Sequence, residues 1–190
     1  MRTTFPQLLL QHAAQRPTAP AMREKEYGIW QTLTWAGLAT MVEELAAGLH
    51  QAGLRPDDHM IVVGANRPRL YATMLAVQSL GAVPIPLYQD AAAAECVYPI
   101  NNAEVTFAFA EDQEQVDKLL EIREQCPQLK RIYFDDPRGL RNYDEPGLAS
   151  LDELQARGKA FAALHTDFFK EEVAKLTAEG VAAMFFTSGT

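Results

Sequence analysis

HMIVVGANRPRLYATMLAVQSLGAVPIPLY, residues 59–88, decides the fold. Its first five residues form a continuous apolar run of strand length, the composition of a strand buried on both faces of a parallel sheet. Asn66 can cap a following helix that carries Pro68 in its first turn. Leu70, Met74, Leu75 and Val77 then recur at helical steps as a buried stripe, and Gly81 ends the helix. The run AVPIPL is strand-like, but Pro84 and Pro86 confine it to a sheet edge. A strand, a helix and a second strand at this spacing predict a right-handed crossover between parallel neighbours.

The same alternation extends in both directions. Upstream, Phe5, Leu8, Leu9 and Ala13 share one face of a short helix closed by Pro17. AMRE and YGIWQTLTW read as two strands of a hairpin turning at residues 25–28. Thr34 caps a helix running to about Ala52, with Leu38, Met41, Val42, Leu45 and Leu49 on its buried side and Gly53 past its end. Downstream, residues 91–102 read as a helix that Pro99 shortens or bends, VTFAFA as a strand, 112–125 as a helix and RIYFD as a strand. Residues 135–147 have loop composition. Ser150 and Glu153 form a capping box for a helix to about Leu164, and a further helix over 167–178 leads to a last strand, VAAMFF. The expected fold is α/β: a largely parallel sheet flanked by helices, with an N-terminal β-hairpin.

Composition narrows the function. The chain has 190 residues, 48% of them hydrophobic, enough to bury a core. Its formal charge of −8, from 25 acidic and 17 basic residues without a basic cluster, argues against nucleic acid as a partner. Cys96 and Cys126 lie far apart and outside any CxxC pattern, as reduced structural thiols of a cytoplasmic protein do. The four histidines lack metal-ligand spacing. The apolar region 70–88 is too interrupted to span a membrane. Acidic residues such as Glu111 and Glu114 read as a solvated first helical turn, and Met22, Met41, Met60, Met74 and Met184 as core filler.

The last residues, MFFTSGT, pose the functional question. In parallel sheets ligands bind beyond the carboxyl ends of strands, and a small-residue turn there can converge backbone N–H groups on a phosphate. Thr187, Ser188 and Thr190 would add hydroxyl donors, and Gly189 would permit the turn. Taken alone, these four residues read first as an ordinary turn. Neither GxGxxG nor GxxxxGK[ST] occurs. Residues 66–67 also open a helix at a strand's carboxyl end, where either an anion or a plain cap would fit.

LTWAGL (33–38), QSLGAVPIPLY (78–88) and MFFTSGT (184–190) occur in that order. Together they resemble the first three core motifs of the adenylate-forming, or AMP-binding, superfamily. The opening LLLQHAAQRPTAPAM is similar to that family's usual start. In the family the third motif runs on as TSGTTG-x-PKG and wraps the phosphates of ATP; here it ends four residues in. Phe186 stands where many relatives carry tyrosine. PLYQD, AFAEDQEQVDKLL and the spacing from Gly81 to Thr187 most resemble bacterial long-chain fatty-acid–CoA ligases.

The resemblance implies an enzyme that couples a fatty acid to coenzyme A through an acyl-adenylate, using ATP and Mg2+. It implies nucleotide binding by Thr187, Ser188, Gly189 and Thr190, and it matches no residue of this chain to a catalytic side chain or a metal ligand of the family. Residues 1–190 would be the incomplete first α/β subdomain of the large AMP-binding domain, without the C-terminal domain and inactive alone. Its expected partners are the small-molecule substrates, with self-association through apolar surface that further chain would otherwise cover. The expected location is the cytoplasm, free or peripheral to the membrane. Two alternatives remain open: an adenylating enzyme for another carboxylate, and a non-catalytic α/β interaction module.

Overall fold

A computed structural model describes residues 3–187. The chain opens with helix α1 (Phe5–Gln15), whose Thr4 cap and Gln7 side chain close a capping box. Strands β1 (Pro20–Glu26) and β2 (Ile29–Thr34) form an antiparallel hairpin. Thr34 accepts the Gly37 amide and starts α2 (Trp35–Ala52), which Gly53 ends, both as the sequence predicts. The β/α alternation follows: β3 (His59–Val63), α3 (Pro68–Ser79), β4 (Val83–Leu87), α4 (Ala93–Asn102), β5 (Phe107–Ala110) and α5 (Gln113–Glu121). After a single 3-10 turn come β6 (Arg131–Phe134), β7 (Leu148–Ser150), α6 (Leu151–Leu164) and α7 (Phe168–Lys175).

Strands β3 to β7 make one parallel sheet in the order β4-β3-β5-β6-β7. Strand β3, between β4 and β5, sets Ile61 beside Ile85 of β4 and Ala108 of β5. Side chains alternate across the sheet, as the two-residue strand period requires. Met60, Val62, Phe107, Phe109 and Tyr133 join the core beneath α1, α2, α3, α6 and α7. Ile61, Val63, Ile85, Ala108 and Ile132 join the core beneath α4 and α5. Helices cover both faces, so the continuous apolar run of β3 reads as expected.

Topology explains which helix goes where. The chain steps from β3 outward to β4 and then returns across β3 to β5, so the direction of progress reverses. Right-handed crossovers then put α3 on one face and α4 and α5 on the other. The reversal leaves a crevice between the carboxyl ends of β3 and β5, whose outgoing loops diverge to opposite faces.

Several local expectations need correction. Residues 181–187 form no strand. Among their amides, Met184 donates to the Pro84 carbonyl at 3.1 Å. A parallel ladder would then return from the amide of residue 86 to the Met184 carbonyl, and proline has no amide to give. The segment still follows the outer edge of β4: Met184 and Phe186 pack toward the α4 core while Phe185 is exposed. The edge position of β4, forecast from its two prolines, is correct. Pro99 lies inside α4 without stopping it; the helix begins two residues later than expected. α5 and α7 are shorter than forecast, and β7 is an unforecast strand between the loop read over 135–147 and the helix capped by Ser150. Its three residues carry too little pattern to signal a strand.

Candidate functional site

The carboxyl ends of the parallel strands carry the chemistry-bearing side chains. At the β3–β5 crevice, β3 runs into residues 64–67 and β5 into Glu111. The sequence reading offered Asn66 as cap of α3 and Glu111 as part of a solvated turn; neither holds. Arg67 is the cap residue, without a side-chain cap bond, and Asn66 Oδ1 instead accepts the Tyr71 hydroxyl at 3.0 Å. Glu111 is mostly buried. One carboxylate oxygen, Oε2, accepts the Ala65 amide, and the other, Oε1, lies 2.6 Å from Arg67 Nε. The position at the start of α3 where an external anion was considered is filled by the protein's own carboxylate. Helix starts favour negative charge for the reason that applies to phosphate: free N–H groups and the helix dipole.

A second set of charges continues along the same rim. Asp135, one residue past β6, sits 2.6 Å from Arg69 Nε, and Arg69 Nη2 reaches Asp152 in the first turn of α6 at 2.8 Å. Burial pushes the Asp135 carboxyl up to about 6, against the opposing pull of Arg69. Asp136 next to it is held below the usual carboxylate range by hydrogen bonds from Arg138. With Glu24, Glu26 and Tyr27 of the hairpin above, these residues enclose a cleft of about 390 Å3. Its three arginines are each already engaged by a carboxylate, and acids outnumber them. Such a site is suited to tying strands and helices together, and poorly suited to an external anion.

The residues singled out from the sequence lie elsewhere. Thr187 is exposed, just past Phe186, whose ring stands edge-on to Tyr98 of α4 with centroids 6.1 Å apart. Because residues 181–187 follow β4 from Met184 beside Pro84, the chain is carried toward the carboxyl end of that strand. Ser188, Gly189 and Thr190 lie outside the described residues. Among the described residues no group of three His, Cys, Asp or Glu side chains could hold a metal ion. No described helix is long and apolar enough to cross a membrane. Cys96 and Cys126 are free and buried, and burial pushes both thiols up.

The Glu111–Arg67 pair was missed because its signal is topological. Glu111 and Arg67 are far apart in sequence, and only the order of β3 and β5 in the sheet makes them neighbours. A glutamate immediately after one strand and an arginine four residues after another are the traces it leaves.

The likeness to known proteins is consistent along the chain. Long-chain-fatty-acid–CoA ligase FadD15 of Mycobacterium bovis is 24% identical over 186 residues, which is 96% of this chain and 29% of that protein. The chain therefore spans less than a third of the length of this relative. An uncharacterised protein of Mycobacterium tuberculosis is 32% identical over 117 residues, 62% of this chain and 65% of that one. Among solved structures, acetoacetyl-CoA synthetase from Streptomyces lividans superposes with a TM-score of 0.71 at 25% identity, over 80% of this chain and 25% of that one. VinN, solved with 3-methylaspartate, matches 98% of this chain and 44% of its own at a TM-score of 0.68 and 20% identity, a likeness of fold. The sequence profile of the AMP-binding enzymes matches residues 9–190, and with the strand order and the three ordered motifs it settles the family: the chain belongs to the AMP-binding enzymes.

Proposed function

We propose that these 190 residues are the first α/β portion of the large domain of an AMP-forming fatty-acid–CoA ligase. The observation that carries this reading is the placement of the third motif. Its described residues, 184–187, follow the outer side of β4 toward the carboxyl end of the sheet, and the second motif forms the end of α3 and β4 itself. The long-chain-fatty-acid–CoA ligase activity for which FadD15 is named supports the fatty acid as substrate. In this reading Thr187, Ser188, Gly189 and Thr190 bind the ATP phosphates through backbone N–H groups and hydroxyls. ATP supplies an activated phosphoryl group, the fatty acid becomes its adenylate with loss of pyrophosphate, and coenzyme A displaces AMP to give the thioester. Oriented N–H donors matter because charge develops on the phosphoryl oxygens as the carboxylate approaches. Among the described residues no group of three His, Cys, Asp or Glu side chains could hold a metal ion, and this reading assigns none of them to Mg2+.

Residues 1–190 alone lack a catalytic side chain in this reading and are inactive. An apolar groove of about 540 Å3, lined by Phe5, Leu8, Leu80, Leu176, Val181 and Met184, is surface that further chain would cover and that drives self-association of the isolated polypeptide. The test is fatty-acid-dependent exchange of pyrophosphate into ATP. The purified 190-residue chain is expected to give none. If the gene's reading frame continues past codon 190, the longer product is expected to exchange with long-chain fatty acids in preference to aryl or amino acids. Exchange by the 190-residue chain itself would overturn this assignment.

A second reading, a non-catalytic interaction module, is favoured by one observation. The related Mycobacterium tuberculosis protein is itself short, since the 117 matched residues make up 65% of it. A stop codon directly after Thr190, with a stable partner recovered on the purified chain, would put this reading first.

A further inference from the structure

Helix α7 is fastened at one corner by four rings. His50, in the last turn of α2, has its ring centroid 4.8 Å from that of Phe168 at the start of α7 and 6.0 Å from that of Phe161 in α6. Phe161 stands edge-on to Phe168 at 5.1 Å and stacks on His165 at 4.2 Å. The chain turns from α6 into α7 at this point. The His165 amide donates to the Phe161 carbonyl at 3.0 Å, and the Phe168 amide to the His165 carbonyl at 3.1 Å. The ends of α2 and α6 and the start of α7 thus meet in one aromatic cluster, to which α2 contributes an imidazole.

What the cluster fastens is short. α7 has eight residues; its Phe169 and Val173 reach the core, and Gln7 of α1 donates to the Val173 and Leu176 carbonyls at 3.4 and 3.1 Å. Glu172, Lys175 and Leu176 form one wall of the apolar groove, and the irregular chain from Thr177 to Met184 continues that wall. A short helix followed by irregular chain opens at less cost than the sheet does.

The cluster also puts a titratable group where charge is unwelcome. Burial pushes the half-buried His50 imidazole below its ordinary 6.5, and the Arg55 guanidinium, whose Nη1 donates to the His50 carbonyl at 2.8 Å, adds to the push. From α7, Glu172 pulls the other way, and Lys175, 2.6 Å from Glu172, pushes again. From α6, His165 reaches the cluster through Phe161 and is exposed to water. A phenyl face attracts a cation weakly, whereas Arg55 and Lys175 repel one. α2 also faces α7 at Glu43, toward Lys170; burial raises that carboxyl above its ordinary 4.5, so its protonation favours the fold in acid, the opposite sense. With a depressed folded pKa, the stability from His50 is present above its unfolded value and is lost as pH falls.

We propose that the ring cluster of His50, Phe161, His165 and Phe168 is an acid-released latch. With His50 neutral it holds α7 and the groove wall against the body; when the imidazole takes a proton, α7 and residues 176–184 detach locally and the groove opens. Detachment gives the imidazolium water in place of the rings and separates it from Lys175. The sheet stays intact, because none of its strands contributes to the cluster. The inference is independent of the ligase reading: it rests on how α7 is packed.

Hydrogen exchange of the 190-residue chain at about pH 7.5 and about pH 5.5, corrected for the intrinsic pH dependence of exchange, tests it. Protection over residues 168–184 is expected to fall severalfold at the lower pH, with a ceiling of about tenfold one unit below the ordinary imidazole value. Strands β3 and β5 should keep or gain protection, because Asp135 favours the fold in acid. His50→Phe keeps a ring and removes the proton site, and should abolish the fall; His59→Gln, in the groove, and His165→Gln should retain it. In the wild type, the His50 ring resonances should titrate below 6.5. The proposal is overturned if protection over residues 168–184 is the same at both pH values, or if it falls equally in His50→Phe. Loss of protection in β3 and β5 in step with α7 would also overturn it, since the whole fold would then be opening. Should His50→Phe fail to fold, the wild-type titration decides: a value below 6.5 supports the latch, and one at or above it sinks the idea.

Discussion

Arg67 Nε stands 2.6 Å from Glu111 Oε1, and this pair closes the crevice where the sheet reverses its direction of progress. The same carboxylate takes the Ala65 amide, so one side chain satisfies a loop amide and a guanidinium on a neighbouring strand's exit. Glu111→Ala leaves both without that acceptor. Arg67 is half exposed and recovers some hydration, so the expected loss is about 1–2 kcal/mol. Glu111→Gln, which keeps a carbonyl oxygen for the amide, should lose less. Urea unfolding of the three proteins checks this, and an Ala variant with the wild-type midpoint would show the pair to be idle.

Gly158 of α6 faces Gly48 of α2 where the backbones of the two helices approach closely. A Cβ on Gly158 would stand 1.7 Å from the Glu44 carbonyl oxygen and 2.6 Å from the Gly48 amide nitrogen, all of it backbone that cannot rotate away. Gly158→Ala must push α6 off α2 and loosen Leu151 and Leu154 from the core, at a cost of about 3 kcal/mol. A drop of roughly 10 °C in Tm is expected. Gly180→Ala, where the new Cβ meets only the Thr177 carbonyl at 3.4 Å, serves as the control and should stay near wild type. Equal midpoints for the two variants would contradict the close crossing.

What could be read from sequence was whatever rests on local pattern. The apolar run of β3, the stripe of α2 between Thr34 and Gly53, and the two prolines of β4 each act through their neighbours along the chain, and each is where it was expected. The last segment was misread because its strand character depends on a partner. MFFT alternates correctly, but Pro84 and Pro86 remove the donors it would need across the gap. The rim of Arg67, Arg69, Glu111, Asp135 and Asp152 was illegible for a related reason: strand order, not spacing, assembles it. Of the proposed phosphate-binding residues, Thr187 alone falls among those described, so the loop itself rests on motif order.

Asp135 should make stability depend on pH in an unusual direction for an aspartate. Burial raises its folded carboxyl to about 6, above the ordinary 3.8. A group with a raised folded pKa contributes stability that is present below the unfolded value and is lost as pH rises through the folded one. Between about pH 4 and pH 6, then, Asp135 works against the fold as pH increases, by on the order of 2–3 kcal/mol over the window. Asp135→Asn removes that slope, and Arg69 keeps Asp152 as its partner. Chemical denaturation at a series of pH values should show the wild type losing ground to Asp135→Asn from pH 4 to pH 7. Parallel profiles would mean that Asp135 is not titrating in this range.

The outer edge of β4 makes the last prediction. Its outward residues, Pro84 and Pro86, present carbonyls and no amides, and Met184 uses the first of these at 3.1 Å. The Met184 amide should therefore exchange with deuterium more slowly than that of exposed Phe185, its neighbour. Pro86→Val supplies the missing donor opposite the Met184 carbonyl. One further ladder bond, worth about 1 kcal/mol, should slow exchange at Met184 and Phe186 by roughly fivefold. Pro86→Val also releases a restraint on the unfolded chain, so the comparison belongs to local exchange and not to global stability. If Met184 exchanges as fast as Phe185 in the wild type, the segment is not held along β4. If it is protected and Pro86→Val leaves the rates unchanged, the missing proline amide is not what keeps residues 181–187 from becoming a sixth strand.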